Sequence, residues 1–199
     1  WSEKNPRHTP IWISFNLKDQ VITGLPDPEP FTPGALDLLD EQLRGALANR
    51  LIQPADVQGL DWPTLEQARG KLLLILDEGG SKRDWYYDNW QSRPMFTNAP
   101  EGHPAAGVMI INDPIEDFAR IQRLVRAGYL VRTRADANTF EARVNDTRRR
   151  EQAFASGAQA ISTDYYLPAT HFGNDYRVVI EGGIRCNPVL LLETCVVAE

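Results

Sequence analysis

In GAQAISTDYY (157–166), small and apolar residues run without a turn residue into Ser162, Thr163, Asp164, Tyr165 and Tyr166. A buried strand that ends by presenting hydroxyls, a carboxylate and phenol rings suits a sheet whose C-terminal edge faces a ligand. Four other segments repeat the pattern. PIWISFNLKD (10–19) ends in Asn16, Lys18 and Asp19, and GKLLLILDEGG (70–80) ends in Asp77 and Glu78. GVMIIND (107–113) ends in Asn112 and Asp113, and YLVRTRAD (129–136) carries Arg132, Thr133, Arg134 and Asp136.

Helical patterns alternate with these strands. In TPGALDLLDEQLRGALANR (32–50), Thr32 can cap, Pro33 occupies the first turn, and Leu36, Leu39, Leu43 and Leu47 share one face. DPIEDFARIQRLVRAGY (113–129) has Asp113 as cap, the stripe Ile115, Phe118, Ile121, Leu124 and Val125, and Gly128 as its stop. TFEARVNDTRRREQAFASGA (139–158) reads as one amphipathic helix with Arg148, Arg149 and Arg150 on a solvated face. Residues 81–106 read as irregular and aromatic.

Alternating strands and helices predict an α/β fold with a parallel sheet. Polar residues at every strand end predict a (β/α)8 barrel of the TIM type, since such barrels gather their chemistry at that face. A doubly wound open sheet would place its site there too, but no glycine-rich phosphate loop follows any strand. Five strands fall short of eight, so the barrel reading expects strands upstream of Trp1. The whole of 1–199 reads as one domain. Residues 1–166 hold the βα units; 167–199 form a closing tail with a last pair of strands, YRVVIEGG (176–183) and VLLLETCVV (189–197).

Composition narrows the function. The chain has 199 residues, 42% of them hydrophobic, and a net charge of −6. An acidic chain without a basic patch argues against nucleic acid. No apolar run reaches membrane-span length, no signal peptide is recognisable, and the start at Trp1 implies a processed or absent N-terminus. Cys186 and Cys195 are the only cysteines. Their closeness predicts a disulfide contributing roughly 2–3 kcal/mol and a secreted or periplasmic location. Two buried thiols are the alternative.

Four segments together resemble the bacterial and fungal calcium-dependent phosphatidylinositol-specific phospholipase C proteins: WPTLEQARGKLLLILD (62–77), GYLVRTRADANT (128–139), GAQAISTDYYLP (157–168) and RCNPV (185–189). The glycerophosphodiester phosphodiesterases are more distantly similar. The resemblance implies a phosphodiesterase barrel of which this chain supplies about strands four to eight. It also implies Ca2+ as cofactor and a phosphoinositide as substrate. The family's catalytic histidine pair and most calcium ligands lie on the first three strands, so no catalytic residue is expected within the chain. His8, His103 and His171 lie away from the strand ends. The superfamily tends to place Glu-x-Lys on the strand that here carries Asn16 and Lys18.

The candidate site follows from strand ends and resemblance together. Lys18, Arg132 and Arg134 are candidates for phosphate, which a guanidinium grips through two bonds. Asp164 could orient an arginine or hold an inositol hydroxyl, and Tyr165 or Tyr166 could stack on the sugar. Asp19, Asp77 and Asn16 offer oxygens to calcium. Glu78 is expected to face solvent. WYYDNW (85–90) suits a membrane contact or a sugar face, or else a satellite hydrophobic cluster. Two alternatives stay open: a glycerophosphodiester-type hydrolase, and a non-catalytic binder of anionic sugar or lipid on a decayed barrel. Either a missing N-terminal half-barrel or a complementing chain would cover the exposed sheet edges.

Overall fold

The computed structural model describes residues 1–183 and 185–190. The chain divides into two compact units, Trp1–Val108 and the remainder from Met109. In chain order the first contains β1 (Ile11–Phe15), α1 (Pro33–Leu47), β2 (Leu51–Ile52), β3 (Leu72–Leu76), α2 (Gly80–Tyr87) and β4 (Phe96–Thr97). Around the second lie β5 (Val108–Ile110), α3 (Phe118–Arg126), β6 (Leu130–Arg134), α4 (Phe140–Val144), α5 (Arg148–Ala155) and β7 (Ala160–Ser162). Short 3-10 turns join several of them.

The first sheet is organised by β3, whose sequence LLLIL is buried throughout. A strand apolar on both faces needs cover on both, as parallel sheets provide. It pairs in parallel with β1 along its whole length, from Ile11 beside Leu72 to Phe15 beside Leu76. On its other side β2 pairs in parallel near its start and β4 near its end. Leu72, Leu74 and Leu76 pack with Leu36 of α1, Tyr86 and Met95. Leu39, Leu43 and Leu47 lie against the same cluster, as the helical stripe predicts. Full burial contributes roughly 1.5–3 kcal/mol per such side chain. Thr32 caps α1 by accepting the Ala35 N–H at 3.2 Å.

The second sheet has the order β5-β6-β7, with β6 and β7 parallel and Arg134 beside Ser162. Ile121, Leu124 and Val125 of α3 are fully buried. Asp113 opens the turn before α3 by accepting the N–H groups of Ile115 and Glu116 at 2.9 and 3.1 Å. Gly128 leaves the helix at φ +94°.

Four expectations change. Residues 81–106 are not uniformly irregular, because α2 and β4 lie there. The helix expected over 139–158 is two helices, since Asn145 ends α4 in the left-handed region at φ 53°. Ile115 stays exposed before α3 begins. Residues 176–180 form no strand; their backbone is used in bonds from Val178 N–H to the Tyr165 carbonyl and from Ala169 N–H to the Tyr176 carbonyl. The expected strand 189–197 and Cys195, the disulfide partner proposed for Cys186, fall mostly outside the described residues. Among those described, no helix is long and apolar enough to cross a membrane.

Candidate functional site

In-register pairing of β1 with β3 makes both strands end together, so Asn16 comes beside Asp77. The ladder continues one step, with Asp77 N–H donating to the Phe15 carbonyl at 2.8 Å. Asn16 Nδ2 donates to the Asp77 carbonyl at 2.8 Å. Asn98, just past β4, donates through Nδ2 to Asp77 Oδ1 at 3.0 Å. The Asp77 carboxylate, placed at the end of an apolar strand, is therefore satisfied at one oxygen by a neutral donor, as a half-buried charge requires. Glu78 does not simply face solvent, because its Oε1 accepts the Leu17 N–H.

Asp19 has a different role from the one expected. Lys82 of α2 donates to Asp19 Oδ1 at 2.5 Å and to the Leu17 carbonyl at 2.9 Å. Asp19 Oδ2 accepts the Phe31 N–H at 3.0 Å. Both carboxylate oxygens thus close the loop between β1 and α1. The Lys82 hydrogen bond, helped by the Phe31 N–H, holds the Asp19 carboxyl below the usual carboxylate range. Lys18, one residue earlier, points outward and is exposed, with no partner among the described residues.

At the second sheet, alternation along β6 buries Val131 and Thr133 and leaves Arg132 and Arg134 on the other, half-exposed face. Arg132 Nη1 donates to Asn112 Oδ1 at 2.5 Å. Arg134 has no partner among the described residues. Asp136, 5% exposed, accepts the Thr163 hydroxyl and the Asp164 N–H, the latter at 3.1 Å. It fixes the turn after β7 and leaves the Asp164 carboxylate exposed. Arg149 is not solvated as expected. It is mostly buried, 3.2 Å from Asp113 Oδ2, and donates to the Asn112 carbonyl at 2.7 Å.

The two tyrosines separate cleanly. Tyr165 is buried with Tyr176, Val178 and Ala169, with the Tyr176 ring edge-on at 5.6 Å. Burial pushes its phenol pKa up, and the Asp136 and Asp164 charges push the same way. It is a core residue rather than a sugar platform, and Tyr166, 71% exposed, is the ring open to a ligand. WYYDNW is anchored by Tyr86, while Trp85, Tyr87 and Trp90 are half-buried and Asp88 and Asn89 are exposed. Tyr86 is fully buried, donates to Asp40 Oδ1 at 2.7 Å and accepts the Met95 N–H at 3.2 Å. Arg93 bridges Asp40 and Asp37 at 3.0 and 2.5 Å. Burial raises the Asp40 pKa, against the lowering effect of its bonds from Tyr86 and Arg93.

His171 stacks on Tyr165, just past the end of β7, with ring centroids 6.3 Å apart. His8 precedes β1 and bonds Ser2, His103 packs on Tyr87, and His171 lies beside Phe172. Among the described residues no group of three His, Cys, Asp or Glu side chains converges on a metal position. Asp77 and Asn16 are the adjacent oxygen donors that suit calcium, and Asp19 is committed to Lys82. The set is short of the roughly six to eight oxygens that calcium takes.

Sequence reasoning missed Lys82 and Asn98, which fix the strand ends and lie in the segment taken as irregular. Asp136, named among the polar residues of its strand, fixes the turn after β7 rather than an arginine.

The comparisons agree with this architecture. The profile of the family described as phosphoinositide phospholipase C, Ca2+-dependent, matches residues 1–188. No curated protein matches the sequence. The calcium-dependent phosphatidylinositol-specific phospholipase C of Streptomyces antibioticus is similar in fold, with a TM-score of 0.56 and 16% identity, over 83% of this chain and 67% of that one. The calcium-dependent phosphoinositol-specific phospholipase C of a Gram-negative Pseudomonas species, described with a myo-inositol complex, gives a TM-score of 0.50 and 17% identity over 75% of this chain. This chain spans 59% of that protein's length. By the profile match over nearly its whole length, the chain belongs to the Ca2+-dependent phosphoinositide phospholipase C family.

Proposed function

We propose that the chain is the C-terminal portion, about strands four to eight, of a secreted TIM-barrel phosphodiesterase. It cleaves phosphatidylinositol-type lipids to diacylglycerol and inositol cyclic phosphate, which water can open to inositol phosphate. The observation that carries the reading is Arg134, a cation without a partner among the described residues, at the end of β6 beside the β7 turn that presents Asp164. A planar guanidinium suits a phosphodiester, and a carboxylate suits ring hydroxyls. Tyr166 is available to stack on the sugar, and Arg132, held by Asn112, supports the same face. In the other unit Lys18 is a second cation open to phosphate.

Calcium, when bound, would neutralise phosphate charge that grows in the transition state. Asp77 and Asn16 would hold part of it, with the remaining oxygens and the catalytic histidine pair on strands outside this chain. Within the chain the residues bind and orient; they do not abstract the inositol proton. The reading is tested by assaying phosphatidylinositol cleavage with calcium and with a chelator. Cleavage undiminished in chelator would remove the calcium-dependent version.

A second reading is a non-catalytic binder of anionic sugars or lipids on the same scaffold. It draws on Asn16 standing where the superfamily tends to have Glu. An intact histidine pair upstream would exclude it.

A further inference from the structure

The backbone ladder between β6 and β7 runs one step past the strands. Arg134 lies beside Ser162, and the Ala135 N–H donates to the Ser162 carbonyl at 2.9 Å. From there a side chain continues the connection. Asp136 Oδ1 accepts the Asp164 N–H at 3.1 Å, and Oδ2 accepts the Thr163 hydroxyl. The Thr163 oxygen in turn accepts the Tyr165 N–H at 2.8 Å. One buried carboxylate thus holds three consecutive residues of the β7 exit, two directly and the third through a hydroxyl.

The support around this carboxylate is firm. Ala135 is fully buried, and its carbonyl accepts the Tyr176 hydroxyl at 3.1 Å. The Tyr165 carbonyl accepts the Val178 N–H at 2.8 Å, so the turn is tied on its far side as well. Asp136 is 5% exposed, and a carboxylate taken out of water needs hydrogen bonds in place of its hydration. Thr163 and the Asp164 amide supply them. Asp164 itself is exposed, so its backbone is fixed while its carboxylate faces solvent.

We propose that the Asp136–Thr163 pair is a positioning device that sets where Asp164 stands relative to Arg134, and so makes the site select phosphate esters of a ring polyol over those of an open chain. It rests on the reading of Arg134 as the phosphate contact and Asp164 as the hydroxyl contact. Arg134 is on a strand and is placed by the ladder. Asp164 lies where the ladder has ended, and only the Asp136 carboxylate replaces it. A loosely held carboxylate could follow a flexible glycerol chain as well as a ring. A fixed one rewards a ligand whose hydroxyls already stand at a set distance from the phosphate. A ring polyol meets that condition, whereas an open chain must freeze its torsions to match. Supporting bonds made in advance add no ordering cost at binding.

Isothermal titration of the chain with inositol 1-phosphate and with glycerol 3-phosphate tests the device. Wild type should prefer the inositol ester. Thr163→Val keeps the side-chain shape and removes the hydroxyl. It should weaken inositol 1-phosphate about tenfold and glycerol 3-phosphate by less than about twofold. Thr163→Ser keeps the hydroxyl and should retain the wild-type ratio. Asp136→Asn, which keeps an acceptor for the Asp164 N–H, is a milder second variant and should shift the ratio in the same direction. Asp164→Ala should shift it too, and adding Thr163→Val to Asp164→Ala should change little further, because a positioning residue acts only through the group it positions. Thr163→Val that weakens both esters equally, leaves the ratio unchanged, or adds its full effect to Asp164→Ala would overturn the proposal. Wild type that binds neither ester would remove the phosphate reading of Arg134 together with the device. Wild type that binds inositol 1-phosphate no better than Thr163→Val does would remove the device alone. A shifted ratio in a protein unable to cleave phosphatidylinositol would uphold the device and remove the catalytic reading.

Discussion

Lys82 Nζ lies 2.5 Å from Asp19 Oδ1, with the two side chains 17% and 15% exposed. These residues are 63 positions apart, and their pairing ties the loop after β1 to the start of α2. A carboxyl whose pKa is lowered on folding holds its proton more weakly in the native state. It stabilises above its unfolded value, here near 3.8, and that contribution fades as pH falls through the lower folded value. Thermal midpoints measured from about pH 5 to about pH 3 should fall more steeply for wild type than for Asp19→Asn. Parallel slopes for the two would show that the pair contributes nothing. Lys82→Ala should lower the midpoint at neutral pH and lose more than Lys82→Arg.

Tyr86→Phe removes one hydroxyl that both donates to Asp40 and accepts from Met95 N–H. It leaves a buried carboxylate oxygen and a buried amide each short of a partner, so a loss of about 1–3 kcal/mol is expected in urea unfolding. The ring and its packing under α1 remain, and the m-value should not change. Leu74→Ala, at a fully buried position of β3, should cost about 2–5 kcal/mol.

Gly157 begins the stretch that ends at the β7 turn. It has φ +79°, and a Cβ there would approach Val189 Cγ2 at 2.5 Å and Asn187 Oδ1 at 2.9 Å. Asn187 Nδ2 donates to the Gly157 carbonyl at 2.8 Å. Gly157→Ala therefore meets both backbone strain and overlap, and should destabilise by about 1–3 kcal/mol. An equal or higher thermal midpoint would show that the tail is not seated on this residue.

Arg134→Ala should weaken inositol 1-phosphate binding by about ten- to a hundredfold, the usual worth of hydrogen bonds to a charged group, with little change in stability. Arg134→Lys should recover only part, because an ammonium cannot make the paired contact. Arg132→Ala should instead disturb the Asn112 contact. Tyr165→Ala should destabilise the unit by about 3–5 kcal/mol, and Tyr166→Ala should lie within about 0.5 kcal/mol of wild type in stability. Isothermal titration and thermal melts separate these effects.

Much of the fold was legible because its signals are local. LLLIL could only be a strand buried on both faces, and Leu36, Leu39, Leu43 and Leu47 could only be one helical stripe. The polar strand ends followed directly from where each apolar run stopped. Other features were hidden for physical reasons. β2 and β4 are two-residue strands, too short to show a period. α2 starts at Gly80, directly after Gly79, and has no clean stripe, so its aromatic residues read as a loop. Asn145 breaks a helix by adopting a left-handed conformation that the amphipathic pattern does not reveal. Asp19 was misassigned because Lys82, its partner, is remote in sequence. Tyr165 and Tyr166 differ only by the alternation of a chain leaving a strand, which decides which ring enters the core.

Disulfide closure of Cys186 with Cys195 and a secreted origin remain proposals, tested by intact mass before and after reduction. A species well above 22.4 kDa, or a second fragment carrying the upstream strands, is the expected result for the native protein.

The measurement that tests the central claim most directly is phosphorus NMR of phosphatidylinositol incubated with the native protein, with calcium and with a chelator. The account predicts inositol cyclic phosphate with calcium and unchanged lipid without it. Cleavage that persists in chelator, or a product without any cyclic phosphate stage, would contradict it.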